Sequence, residues 1–147
     1  MKERFKLIPL VSVIIKKDNK LLLARRFNTG YGDGLYALPG GGVDGNETIL
    51  QAVIREAQEE LAITLRQKDL QVLHVSHIRY PSKTETIRFF IVVDKWDGEI
   101  INNEPGKCDD IRWFELNKLP ENLLDPIEHV LEKISQGRFY SEFGWEK

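Results

Sequence analysis

The chain is poor in cysteine. Cys108 is the only one among 147 residues, so no internal disulfide framework holds the molecule together, and a reducing, cytoplasmic setting is expected. A buried or idle thiol is the expected role of Cys108. Long apolar runs are also missing: no stretch approaches the ~18 residues of a membrane span, and the opening MKERFKLIPL is charged before any apolar run develops. An excess of one charge sign is absent too. The formal net charge of −2 argues against a broad electrostatic grip on nucleic acid or an anionic membrane, so a polyphosphate ligand would need local cations. No repeat, linker or low-complexity block interrupts the sequence. With 41% hydrophobic and 10% aromatic residues, one domain spanning 1–147 with a real core is expected.

Two β-rich runs, LIPLVSVII (7–15) and KLLLARR (20–26), flank the turn-forming KKDNK and predict a hairpin. QVLHVSHIRY (71–80) and TIRFFIVVDKW (86–96) predict a strand pair, and DIRWFEL (110–116) a further strand. Seven of the eleven glycines fall in residues 28–46, where the backbone is free to approach a ligand closely. Two helices are predicted from their ends. Thr48 and Gln51 stand at capping-box spacing before ILQAVIREAQEEL, so the first helix starts near Ile49. Asp125 as cap, Pro126 in the first turn and Glu128 open the second. Its residues Ile127, Val130, Leu131 and Ile134 repeat at helical spacing up to Gly137 and predict packing on a sheet.

The first helix crowds Glu56, Glu59 and Glu60 into five positions. Like charges at i,i+4 repel by about 0.2–0.5 kcal/mol in an isolated helix, so either water absorbs the cost or a bound cation does. At 100° per residue Leu50, Val53, Ile54, Ala57 and Leu61 form the apolar side, and the glutamates share another arc. A solvated face, with Arg55 offsetting Glu59, is the ordinary reading of such a charge run. The preceding LPGGGVDGNE changes that reading, because it sets a glycine-rich turn and a further carboxylate, Glu47, directly before the helix.

Counted from Gly41, the residues Glu47, Arg55, Glu56, Glu59, Glu60 and Ile63 fall at the spacing G-x5-E-x7-R-E-U-x-E-E-x-G-U, where U is a bulky apolar residue. The segment 41–63 thus resembles the signature of the Nudix (MutT-related) hydrolases. Every charged position matches. Ala57 is smaller than the usual apolar residue, and Ala62 replaces a glycine that lets the helix end in a left-handed turn, so a different helix exit is expected. Softer likeness extends over residues 7–136, through ARR and LPGG before the motif and WDGE and WFELNKLP after it.

The resemblance implies an α+β fold, a mixed β-sheet sandwiched between α-helices. It also implies hydrolysis of a nucleoside diphosphate derivative by water attack on phosphorus, with Mg²⁺ or Mn²⁺. Glu56, Glu59 and Glu60 would be metal-binding carboxylates, one doubling as base, and the Gly40 carbonyl a further ligand. Such a set suits a hard cation that takes oxygen ligands. Arg55 and Glu47 would pair as support for the site. Glu104 is implied as a further ligand or base, its ordinary reading being a solvated loop residue. Arg25 and Arg26 follow a strand where relatives bring a cation to the phosphates; alternation sends them to opposite faces, so only one is expected to reach. Arg79 and Arg88 are weaker candidates of the same kind.

Phe27, Tyr31 and Tyr36 flank the glycine loop, where an aromatic face could stack on a base, with core packing the expected fate of Tyr36. His74, His77 and His129 have no metal-ligand spacing and read as structural or surface residues. The aromatic RFYSEFGW (138–145) could cover the core, a pocket or a second subunit, which leaves a homodimer open. The favoured substrate is a nucleoside triphosphate, with ADP-ribose, nucleotide sugars and dinucleoside polyphosphates as alternatives. A nucleotide sensor without turnover is less favoured because the charged set is intact. Hydrolysis at an RNA 5′ end would want a basic path for the chain, and the sequence shows none.

Overall fold

In the computed structural model, which describes residues 2–145, eight strands and two α-helices follow one another along the chain. β1 (Ile8–Lys17) and β2 (Lys20–Arg26) form the expected hairpin, but they share only the pairs Lys16↔Leu21 and Lys17↔Lys20. Beyond the turn they part, because the glycine-loop segment is wedged between them. β3 (Tyr36–Ala37) pairs with β2, and β4 (Gly40–Gly42) pairs with β1 at Leu10–Ser12, both antiparallel. The Val13 N–H donates to Pro39 O at 2.8 Å and fastens the segment at its midpoint.

β5 (Gln71–Arg79) and β6 (Glu85–Val93) are the expected antiparallel pair, and β6 runs parallel to β1 from Ile8↔Thr86 to Ile15↔Val93. β7 (Cys108–Glu115) pairs with β2. The aromatic C-terminal run becomes β8 (Tyr140–Phe143), a short strand parallel to β5, so its backbone extends the sheet. The result is one mixed sheet of eight strands, the α+β arrangement expected.

Strand alternation sorts the apolar side chains onto two faces. Val11, Val13 and Ile15 of β1 with Leu22 of β2 pack against Ala52, Val53, Ala57 and Leu61 of α1 (Ile49–Leu61). Ile14, Leu21, Leu23 and Phe90 on the other face pack against Ile127 and Val130 of α2 (Asp125–Ser135). Each of these valine, leucine, isoleucine and phenylalanine side chains removed from water contributes about 1.5–3 kcal/mol before the entropy cost of ordering it.

The helix ends differ from the sequence reading in two places. α1 begins as expected, with Thr48 Oγ1 accepting from the Gln51 N–H at 3.1 Å and Gln51 Oε1 accepting from the Thr48 N–H at 2.8 Å. Its exit does not differ as expected: Ala62 adopts the left-handed conformation (φ 57°, ψ 32°), at a cost of about 1–2 kcal/mol for a residue with a Cβ. At α2 the cap position belongs to Leu124, which offers no side-chain bond, and Asp125 is the first helical residue. The Leu124 N–H is spent on Tyr36 O at 2.9 Å, tying the helix start to β3.

Candidate functional site

The parting of β1 from β2 leaves a cleft of about 1080 Å³ above the glycine segment. Glu56, Glu59, Glu60 and Glu104 line it together with Gly40, Gly41 and Gly42. The four carboxylates proposed from sequence therefore share one wall. Their burial differs from expectation: Glu56 is not on a solvated arc but is 9% exposed, because β4 packs directly over it. The fit requires glycine at 41, where a Cβ would sit 2.5 Å from Glu56 Oε1, and at 40, where one would sit 2.0 Å from the Val11 carbonyl oxygen.

Arg55 organises this wall. It grips Glu47 with both arms of the guanidinium, Nε to Oε1 at 3.0 Å and Nη2 to Oε2 at 2.8 Å. Nη2 also donates to Gly42 O at 2.9 Å, and Nη1 donates to Glu56 Oε1 at 3.0 Å and Glu59 Oε2 at 3.2 Å. The pairing with Glu47 is the one the sequence suggested, and it pulls the Glu47 carboxyl down to about 2, with the Asp44 N–H assisting. Glu60 lies beyond Arg55's reach and is held instead by the Gly40 N–H at 2.8 Å. Burial, then the charge of Glu56, pushes its carboxyl up to about 8, the Gly40 N–H opposing and Glu104 and Glu59 adding to the rise. Burial likewise raises Glu56 against the pull of Arg55.

Among the described residues, no three His, Cys, Asp or Glu side chains stand as a ready-made ligand cluster. The reason is visible: Arg55 engages Glu56 and Glu59, while a backbone N–H engages Glu60. The donor set still fits a hard dication. Carboxylate and backbone oxygens converge at this wall, and Glu60 is lifted first by burial and then by the charges of Glu56, Glu104 and Glu59, an arrangement that a dication among them would relieve.

Glu104 is positioned by contacts the motif does not contain. Its N–H donates to Asn102 Oδ1 at 3.1 Å, the Asn103 N–H donates to Glu60 O at 2.9 Å, and Asn103 Nδ2 donates to Glu59 O at 3.1 Å. The loop is thereby fastened to the end of α1. No sequence signal pointed to Asn103, because its partners Glu59 and Glu60 lie more than forty residues away.

The cationic candidates divide. Arg25 and Arg26 both line the cleft, against the expectation that only one would, because a bulge between them in the pairing with β7 breaks the alternation. Arg25 is paired with Asp109 at 2.7 Å. Arg26 holds the glycine loop, donating to Tyr31 O at 2.6 Å and Thr29 Oγ1 at 3.1 Å. Arg88 lines the cleft as well, whereas Arg79 lies outside it over the Trp145 ring. Of the aromatic trio Tyr31 lines the cleft, Tyr36 is buried as expected, and Phe27 is exposed outside it. Tyr80, Thr86 and Leu124 also face the cleft and escaped the sequence reading, which had no reason to join the 80–86 turn to the glycine loop. Cys108 lines the cleft partly buried, its thiol pushed up by burial and donating to Asp110 O. His74 is fully buried and bonded at both ring nitrogens, to Arg138 O and Ser141 Oγ.

The model of the NUDIX domain family matches residues 6–136. An ADP-ribose pyrophosphatase of Methanocaldococcus jannaschii is 37% identical over 126 residues, covering 84% of this chain and 72% of that protein. An 8-oxo-dGTP diphosphatase of Proteus vulgaris is 34% identical over 108 residues, covering 74% of this chain and 93% of its own length. Among solved structures, a MutT NUDIX hydrolase from Burkholderia pseudomallei superposes with a TM-score of 0.79 at 29% identity, over 87% of this chain and 98% of that one.

Proposed function

The chain belongs to the NUDIX domain family and is a Nudix pyrophosphohydrolase, and on that premise we propose that it splits a pyrophosphate bond of a nucleoside triphosphate with Mg²⁺, or Mn²⁺ in its place. The observation that carries this reading is the shared wall of Glu56, Glu59, Glu60 and Glu104 against Gly40–Gly42, braced by Arg55. Glu56, Glu59 and Glu60 would hold the metal, with the Gly40 carbonyl and Glu104 as further oxygen donors. The ion, when bound, neutralises phosphate charge and makes a coordinated water more acidic. One of the cleft carboxylates takes the proton of the attacking water. Arg55 and Glu47 fix the glycine segment against α1, so the carboxylates are oriented before substrate arrives. Arg25 and Arg26 face the phosphates, and Tyr31 offers its ring to the nucleoside. The lone cysteine supports a cytoplasmic setting for this reaction.

A second reading, a nucleoside diphosphate conjugate such as ADP-ribose, is favoured by the size of the cleft. At about 1080 Å³ it lies at the upper end of small-molecule sites, with room for a group on each side of the diphosphate. Product analysis on a panel of triphosphates and conjugates separates the two.

Glu60→Gln tests the site itself. The amide keeps the shape and an acceptor for the Gly40 N–H but loses the charge. Turnover should fall by at least about a hundredfold, the scale of a lost catalytic group, while the protein melts no lower than wild type. An unchanged rate in the folded variant would refute the metal assignment.

A further inference from the structure

Away from the glutamates the same cleft ends in a second polar group that the hydrolytic step does not use. Arg88 stands on β6 opposite Leu10 of β1, and Nη1 donates to Ser12 Oγ at 2.7 Å and, more weakly, to Val11 O at 3.4 Å. Among the described residues, no carboxylate forms an ion pair with it. Burial pushes its pKa down, and the Tyr80 hydroxyl is the principal group opposing that shift. Thr86 lies two residues earlier on the same face of the strand, also lining the cleft. It is 3% exposed, and its Oγ1 has no hydrogen-bond partner. A half-buried cation without a counter-charge and a buried hydroxyl without a partner are each costly arrangements, and a ligand that bonds to both removes the cost.

The surroundings say what kind of ligand part fits. Tyr31 and Tyr80 meet edge to face at 5.8 Å between ring centroids, the Arg26 guanidinium lies 5.6 Å from the Tyr31 ring centre, and Leu10 and Leu124 complete apolar walls. Flat, apolar walls with a few polar groups suit a heterocycle better than a phosphate. The spacing agrees. Leu10 pairs with Gly42 on one side and Arg88 on the other, so two strand spacings, about 10 Å, separate the glycine segment from Arg88. A ribose can bridge phosphates at the first end and a base at the second.

We propose that Arg88 and Thr86 read the nucleobase and select a base presenting carbonyl acceptors, guanine first and uracil second, over adenine. This deepens the pyrophosphohydrolase reading and rests on it for the placement of the phosphates. Arginine only donates, and guanine offers O6 and N7 as adjacent acceptors. Adenine offers N7 beside an amino donor, which would face the guanidinium with the wrong polarity. The Thr86 hydroxyl, able to donate and accept, fits either a carbonyl or a ring nitrogen.

Two measurements on the full chain test this. In the first, kcat/KM with Mg²⁺ is compared for GTP and ATP, and for dGTP and dATP. Guanine should be preferred by about tenfold or more, the usual worth of a good arginine–guanine contact. In the second, equilibrium binding of GMP and AMP is titrated without turnover and should show the same order. Arg88→Met and, because Arg88 also braces β1 through Ser12, the near-isosteric Thr86→Val should each shrink the preference severalfold. Thr86→Val should also melt no lower than wild type, since it removes an unpartnered hydroxyl. Equal or adenine-favouring turnover, or equal GMP and AMP binding, overturns the base assignment while leaving the hydrolase standing. A GMP preference in binding with no hydrolysis of any nucleotide sinks the hydrolase reading alone.

Discussion

Removing Arg55 should unsettle the whole acidic wall, and the size of the effect can be bounded from its contacts. The guanidinium uses its fork on Glu47 and Gly42 O and its remaining arm on Glu56 and Glu59. Breaking a fully buried ion pair from one side costs about 3–5 kcal/mol, because a charge is left uncompensated. An exposed pair is worth only about 0–1 kcal/mol. With side chains 26% exposed for Arg55 and 12% for Glu56, the case sits nearer the buried limit, and Arg55→Ala should cost about 2–3 kcal/mol. For a chain of this size that lowers the melting temperature by roughly 5–10 °C. Arg55→Lys keeps the charge but loses the planar fork and should cost about half as much. Thermal melts of the three proteins in metal-free buffer decide the matter. If Arg55→Ala melts within a degree of wild type, the bracing role is wrong. If Arg55→Lys matches wild type, a point charge suffices and the fork geometry is incidental.

Three further outcomes are expected. Gly41→Ala meets only the flexible end of Glu56, so the fold should survive while turnover drops at least tenfold; Gly40→Ala meets the Val11 backbone at a φ of +154° and should lose folded protein outright, as judged by soluble yield and circular dichroism. Ala62→Gly relieves the left-handed strain at the end of α1 and, after glycine's own entropy cost, should gain about 0.5–1 kcal/mol in urea melts at unchanged slope. Burial depresses the His74 pKa below its ordinary 6.5, so on acidification the unfolded chain takes up the proton first. Stability is therefore lost as pH falls below about 6.5, with a slope of at most about 1.4 kcal/mol per unit. His74→Gln should lack this component, and parallel acid-limb slopes for the two proteins would contradict it.

Local signals survived folding where they were self-contained. The Thr48 and Gln51 side chains need only each other and the first turn of a helix, and the capping box stands where it was expected. Arg55 and Glu47, eight residues apart, likewise meet without help from distant chain. What failed to show in the sequence depended on partners far along it. The bulge that turns both Arg25 and Arg26 into the cleft is set by β7, more than eighty residues away. Glu56 looked solvated on a helical wheel because the wheel does not contain β4, whose Cβ-free Gly41 lies on top of it. Asp125 carried the composition of a cap, yet Leu124 took the position once its N–H was claimed by Tyr36. Arg88 and Thr86 sit in an alternating strand where polar residues ordinarily face water; here that face ends in the cleft.

The distribution of charge resolves a difficulty posed by the composition. A chain of net charge −2 that acts on polyanions must bring opposite fields close together. It does so inside one cleft: carboxylates gather along α1 and the Glu104 loop, while Arg25, Arg26, Arg88 and Lys107 line the rest. Two of these cations are already engaged: Arg25 by the Asp109 carboxylate, which offsets its charge, and Arg26 by neutral oxygens of the glycine loop, which hold it in place with its charge intact. Phosphates approaching the glutamates alone would be repelled. On the proposed reading, a dication at that wall would reverse its sign and leave Arg26 and Arg88 to extend the positive lining. Selectivity for polyphosphates would then belong to the loaded site, and the bare acidic wall would work against the capture of other anions.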